Sequence, residues 1–166
     1  MIKPIPWEID GMSIKFWNVN HQPYITLEDT NYNDYSLCCN IEYGTQRVCY
    51  TGDIGHVAMG LNAGKNYKCN VYKAQHHGWD NITADADILE MKKWLSTVFP
   101  QVAISEDGIS HDTLLQGNAA PMPDWCEDNG VPFYRTNQNG AIYVKVSPNN
   151  FEIMTPTIRW TKSENQ

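Results

Sequence analysis

Short apolar runs, separated by polar stretches rich in turn residues, set the plan of this chain. Met12 to Val19 reads as a strand, and Asn20 to Tyr35 as a polar loop. Ser36 to Tyr43 and Arg47 to Thr51 read as two strands of a hairpin, with Gly44-Thr45 as the turn. Cys69 to Ala74 and Gln101 to Ser105 are shorter strand candidates. Val131 to Arg135 and Ala141 to Val146 flank Thr136-Asn137-Gln138-Asn139-Gly140, whose Asn-Gly pair predicts a second hairpin. Phe151 to Met154 reads as a last edge strand. The strongest helix is Ala84 to Val98. Its Ile88, Leu89, Met91, Trp94, Leu95 and Val98 fall near helical spacing, and Pro100 stops it. Ile54 to Leu61 predicts a shorter helix, ended near Gly64. Pro121 to Asn129 predicts another, with Gly130 just past its end. Strands interleaved with helices predict an α/β (α+β) layer on a mixed sheet. Residues 12–154 form the expected domain, between a peripheral segment 1–11 and a C-terminal tail 155–166.

Composition narrows the functional classes. A chain of 166 residues is long enough to bury roughly 70% of its unfolded surface in one domain. It has no apolar run near the ~18 residues of a membrane span. Met1 to Gly11 has one Lys and no apolar core, so no secretory signal is expected there. The net charge of −7 argues against unaided nucleic-acid binding, which needs many phosphate-neutralising cations. It leaves open a metal-centred site for phosphodiesters, because the metal brings its own positive charge. The five cysteines, Cys38, Cys39, Cys49, Cys69 and Cys126, show no C-x-x-C spacing. They read as reduced, mostly buried thiols of a cytoplasmic protein. Asn81-Ile82-Thr83 matches a glycosylation sequon without other signs of secretion.

Two segments carry the candidate chemistry. Tyr50-Thr51-Gly52-Asp53 and Lys73-Ala74-Gln75-His76-His77-Gly78-Trp79 each follow a strand and deliver polar ligand types where it stops. A carboxylate and an imidazole at neighbouring strand ends suit zinc or manganese. Asp53 has a second reading, as N-cap of the helix at Ile54. His76 and His77 would point to opposite faces of a continuing strand, but Gly78 ends it, so both can approach one site. One would then bind metal while the other holds a phosphate or orients water; ordinary hydrogen-bonded histidines remain the alternative. His111, in Ser110-His111-Asp112, is either a third site group or part of a helix start capped by Ser110. His21 and His56 read as surface residues. Trp7, Trp17, Trp94, Trp125 and Trp160 read as core anchors, and Trp79 stands out because it follows the His pair.

The ordered set Asn31-Tyr32-Asn33-Asp34-Tyr35-Ser36-Leu37, Ile41-Glu42-Tyr43-Gly44, Thr51-Gly52-Asp53-Ile54, His76-His77-Gly78, Tyr134-Arg135-Thr136 and Asn139-Gly140-Ala141-Ile142 resembles one family. It is the metallo-β-lactamase-like domain of the ComEC competence-protein type. The resemblance runs from about Met12 to Met154. It implies half of an αββα sandwich and a metal-dependent hydrolase, phosphodiesterase- or nuclease-like. It also implies that Asp53 is a bridging metal ligand, that His76 and His77 supply a ligand and a substrate-side histidine, and that His111 sits where relatives carry Gly-His-Pro. Family members begin with a half bearing His-x-His-x-Asp-His. No such cluster occurs here, so the resemblance covers the C-terminal half alone.

A half sandwich would expose an apolar sheet face. A homodimer, or a complex with a chain supplying the other half, is therefore expected. Two functional readings follow. One is a zinc or manganese hydrolase of phosphodiesters or other esters, completed by ligands from another segment or chain. The other is a non-catalytic binding or assembly module on the same fold.

Overall fold

The computed structural model describes residues 5–18, 32–78, 85–106 and 121–156. Strands β1 (Trp7–Ile9), β2 (Met12–Trp17), β3 (Cys38–Tyr43) and β4 (Gln46–Tyr50) form an antiparallel meander. From β4 the chain changes to parallel pairing through β5 (Val71–Lys73), β6 (Val102–Ser105) and β7 (Phe133–Arg135). The crossovers contain α1 (His56–Asn62), α2 (Asp85–Val98) and α3 (Pro121–Asp128). Parallel neighbours need such crossovers, because a tight turn cannot return the chain in the same direction. Among the described residues the sheet holds seven strands in simple chain order, β1 to β7. A short helix α4 (Thr136–Asn139) leads to β8 (Tyr143–Ser147) and β9 (Asn150–Met154), which pair as a separate antiparallel hairpin.

Register assigns the two faces. Asn40, Cys49, Tyr72 and Ala103 are cross-strand neighbours on one side. That side packs against the helices through Ala58, Met59, Met91, Trp94, Leu95, Val98, Met122 and Trp125. Ile41, Val48, Val71 and Val102 line up on the other side. There they meet Ile142, Val144, Val146, Phe151 and Ile153 of the hairpin segment. The result is three layers: helices, mixed sheet, hairpin. β6 is buried at every position, as a strand covered on both faces must be. The expected mixed α/β class is therefore present.

Several boundaries differ from the sequence reading. The Asn-Gly segment does not join β7 to β8 as a hairpin. Thr136–Asn139 is helical, Gly140 follows at φ 70°, and β8 pairs with β9 instead. The Asn-Gly signal reported a helix terminus, because the same positive φ suits both structures. Trp7–Ile9, inside the segment read as peripheral, pairs with β2 as the sheet's edge. Cys69 precedes β5 rather than opening it. Trp17, Trp94 and Trp125 are core residues, but Trp7 is 59% exposed. His56 is half-buried at the start of α1 rather than at the surface. His21, Trp79, Asn81-Ile82-Thr83, His111 and Trp160 lie outside the described residues. No described helix is long and apolar enough to cross a membrane.

Candidate functional site

β4 to β7 are parallel, so their carboxyl ends share one edge of the sheet, where α/β folds place ligands. The segments following them carry Asp53, the His76–His77 pair, Glu106 and Thr136. Gly52 (φ 55°) turns the chain out of β4 directly before Asp53. Asp53 is not a helix cap. Helix α1 starts at His56 with Gly55 as its N-cap residue, which makes no side-chain capping bond. The capping carboxylate comes from far away in sequence. Asp34 Oδ1 accepts from the Ala58 backbone N–H at 2.9 Å, satisfying a donor in the first turn. Asp53 thus stays at the strand end with its side chain 44% exposed.

Beyond β5 the backbone leaves the strand in a left-handed turn. His76 (φ 41°, ψ 47°) and His77 (φ 59°, ψ 21°) are both left-handed, and Gly78 follows at φ 75°. This conformation costs roughly 1–3 kcal/mol at each non-glycine residue, so the surroundings must hold it. They do so at several points. His76 N–H donates to Gly52 O at 3.1 Å, tying the two site segments together. Ser105 Oγ donates to His77 O. Gln75, fully buried, anchors the start of the turn. Its Oε1 accepts from the Tyr72 hydroxyl at 2.6 Å, and that hydroxyl accepts from Trp94 Nε1 at 2.9 Å. Burial pushes the Tyr72 phenol well above its ordinary pKa, so it acts here as a neutral hydroxyl.

The turn separates the two histidines, whose ring centres are 6.2 Å apart. His77 Nε2 lies 3.6 Å from Asp53 Oδ1. His77 Nδ1 lies 3.0 Å from the Glu106 carbonyl oxygen. A carbonyl only accepts, so Nδ1 carries the hydrogen and donates. In the neutral ring, Nε2 then presents its lone pair beside the Asp53 carboxylate. An imidazole that donates one ring N–H to a backbone carbonyl is oriented as metal-ligating histidines usually are. The 3.6 Å gap is too long for a hydrogen bond. It is close to the ~3.4 Å between two donors on one tetrahedral zinc, as ligand distances of about 2.0–2.1 Å imply. The separation alone would suit two donors to one divalent ion. His76 is held differently, its Nδ1 3.4 Å from Asn33 Nδ2. Among the described residues no group of three or more His, Cys, Asp or Glu side chains is arranged to hold an ion.

Around the site, Lys73 ends β5 with its ammonium 3.9 Å from the Glu106 carboxylate. A cavity of about 170 Å³ beside it is lined by Tyr50, Lys73, Ile104, Glu106, Thr136 and Val144, among others. A larger cleft, about 680 Å³, sits at the opposite ends of the strands, lined by Gly44, Arg47, Asn70, Gln101 and Gly130, among others. It brings no histidine, so size alone does not mark the chemical site.

Asn33, Asp34, Ser105 and Glu106 were not singled out as site residues by the sequence. Asn33 and Asp34 lie in a polar loop that gives no period to read, and Glu106 acts through its backbone carbonyl, which no side-chain pattern reveals. No protein-family model matches this chain, and no curated protein matches it.

Proposed function

We propose that this protein is a metal-dependent hydrolase of the metallo-β-lactamase kind, acting on phosphodiesters or related esters. The observation that carries the reading is the Asp53–His77 pair, with His77 oriented by the Glu106 carbonyl. The left-handed His76–His77–Gly78 turn supports it, since strained backbone that is held this firmly is concentrated at functional sites.

Asp53 Oδ1 and His77 Nε2 would hold the ion, zinc or manganese. When bound, such an ion lowers the pKa of water and supplies hydroxide near neutral pH. Further ligands would come from outside the described residues, His111 or a second chain among them. The backbone tie from His76 to Gly52 keeps the two donor segments in register. His76, steadied by Asn33, is the substrate-side histidine and meets the anion's oxygen. Lys73 adds positive charge near the same strand ends, where a phosphodiester would sit.

The test is hydrolysis of bis(p-nitrophenyl) phosphate by the full chain with added zinc or manganese. Metal-dependent turnover lost in both Asp53→Asn and His77→Ala supports the reading. Turnover unchanged in those variants overturns the role of this pair, and no turnover while the chain binds phosphodiester without metal favours the non-catalytic module.

A further inference from the structure

The cavity of about 170 Å³ toward the carboxyl ends of β4 to β6 has two kinds of wall. Val48 pairs with Val71, and Tyr50 with Lys73, which in turn pairs with Ile104. Alternation along each strand puts all five side chains on the hairpin side of the sheet. Ile142 and Val144 close the cavity from the hairpin segment. Its five aliphatic residues all belong to the apolar cluster between sheet and hairpin. Native packing leaves few voids larger than a water molecule, so a hollow of this size in such a cluster calls for an occupant.

The other wall is charged. Lys73 is the one cation and Glu106 the one anion among the lining residues. They are placed unequally: the Lys73 side chain is 13% exposed and that of Glu106 62%. Their 3.9 Å separation is too long for a hydrogen bond. Among the described residues the Lys73 ammonium makes no other ion pair. A mostly buried ammonium held this loosely lacks a close partner, and an anionic oxygen is the one that suits it. The buried charge sets the sign of the ligand, because the exposed Glu106 carboxylate keeps its water. Tyr50 adds no second negative charge, since burial raises its phenol above the ordinary range.

We infer that this cavity is a subsite for an aryl phosphate ester, with the ring between sheet and hairpin and an anionic phosphoryl oxygen on Lys73. Size selects the ring: an apolar cavity of about 150 Å³ holds benzene. Complete ligand pockets run to roughly 300–1,000 Å³, so the rest of the ligand lies outside. Glu106 shows in which direction. Its side chain lines the cavity, and its backbone carbonyl accepts from His77 Nδ1. The subsite and the Asp53–His77 pair therefore share a residue. In naming phosphate esters the inference rests on the hydrolase reading, whereas the binding of a ring with an anionic oxygen does not.

Calorimetric titration of the full chain with phenyl phosphate, in the presence of a chelator, tests the subsite apart from any metal. Phenyl phosphate is expected to bind about tenfold or more tightly than methyl phosphate, which offers the same anion without the ring. Val144→Phe, which fills the cavity, and Lys73→Met, which keeps the stem and removes the charge, should each weaken phenyl phosphate by about tenfold. If Val144→Phe fails to fold, Ile142→Phe takes its place. Equal binding of phenyl and methyl phosphate overturns the inference, as does phenyl phosphate binding that survives both kinds of substitution. Benzoate binding more tightly than phenyl phosphate overturns the assignment to phosphate esters. The hydrolase reading fails separately: phenyl phosphate bound as expected, with no ester hydrolysed in zinc or manganese, supports the subsite and removes the reaction.

Discussion

Replacing Gly78 with alanine tests how the candidate site is built. Gly78 sits at φ 75°, where an L side chain costs roughly 1–2 kcal/mol. A Cβ there would lie 2.9 Å from Ser105 Oγ and 3.4 Å from Ser105 Cβ. Ser105 is fully buried, and its hydroxyl donates to the His77 carbonyl. To make room the hydroxyl must leave that bond, at a further cost of about 1 kcal/mol. Gly78→Ala should therefore destabilise the fold by about 2–3 kcal/mol. It should also weaken zinc binding, because the displaced carbonyl belongs to His77. Urea unfolding followed by tryptophan emission gives the first number, and calorimetric zinc titration the second. The structure supplies an internal control. In Ser105→Ala the nearest atoms to the new Cβ are at 3.4 and 3.5 Å, an ordinary contact. The Gly78→Ala/Ser105→Ala double variant should then fall short of additivity by about 1 kcal/mol. A Gly78→Ala protein within about 0.5 kcal/mol of the parent, or strict additivity of the pair, would refute the reasoning.

Other consequences can be checked with single variants. Asp34→Ala removes the remote cap of α1 and should cost about 1–2 kcal/mol in urea unfolding, whereas Asp53→Ala, which caps nothing, should cost less than about 0.5. Burial opposes ionisation of Glu42, but hydrogen bonding to Lys15 and the charge of Arg47 outweigh it, so its carboxyl titrates below the usual range. A lowered folded-state pKa gives stability that is present above the unfolded carboxylate range and lost as pH falls through the folded value. Glu42→Gln should thus be less stable than the parent by about 0.2–1 kcal/mol at neutral pH, with the gap closing in acid. Burial raises the Cys38 and Cys126 thiols, the latter to about 12; a hydrogen bond with Cys69, and then burial, raises Cys49; and Cys69 is buried too. Iodoacetamide at pH 8 should therefore alkylate Cys39 first, the one cysteine that is not buried, as peptide mapping would show.

The parts of the fold that alternate or repeat were legible in the sequence. Ala84 to Val98 shows its helical stripe, and α2 occupies nearly that range. The turn at Gly44-Thr45 and the strands around it also read correctly, because a hairpin is a local structure. Pairing between distant segments was not legible. Nothing local tells β8 to leave β7 and fold over Val48, Val71 and Val102 on the far face of the sheet. Trp7–Ile9 is too short to show a period, and its strand exists because β2 offers an edge. The site divided along the same line. Asp53, His76 and His77 were visible as ligand types at strand ends. The left-handed turn that assigns His77 to Asp53 and His76 to Asn33 depends on Gly52, Ser105 and Glu106, which only the folded chain brings alongside.

Metal content of the purified full chain, read by mass spectrometry beside Asp53→Ala and His77→Ala, is the most direct measurement of the proposed centre. About one zinc or manganese per chain, lost in both variants, is the expected result. A chain that binds no metal above background, or binds it equally well without Asp53 and His77, would contradict a metal centre at these strand ends.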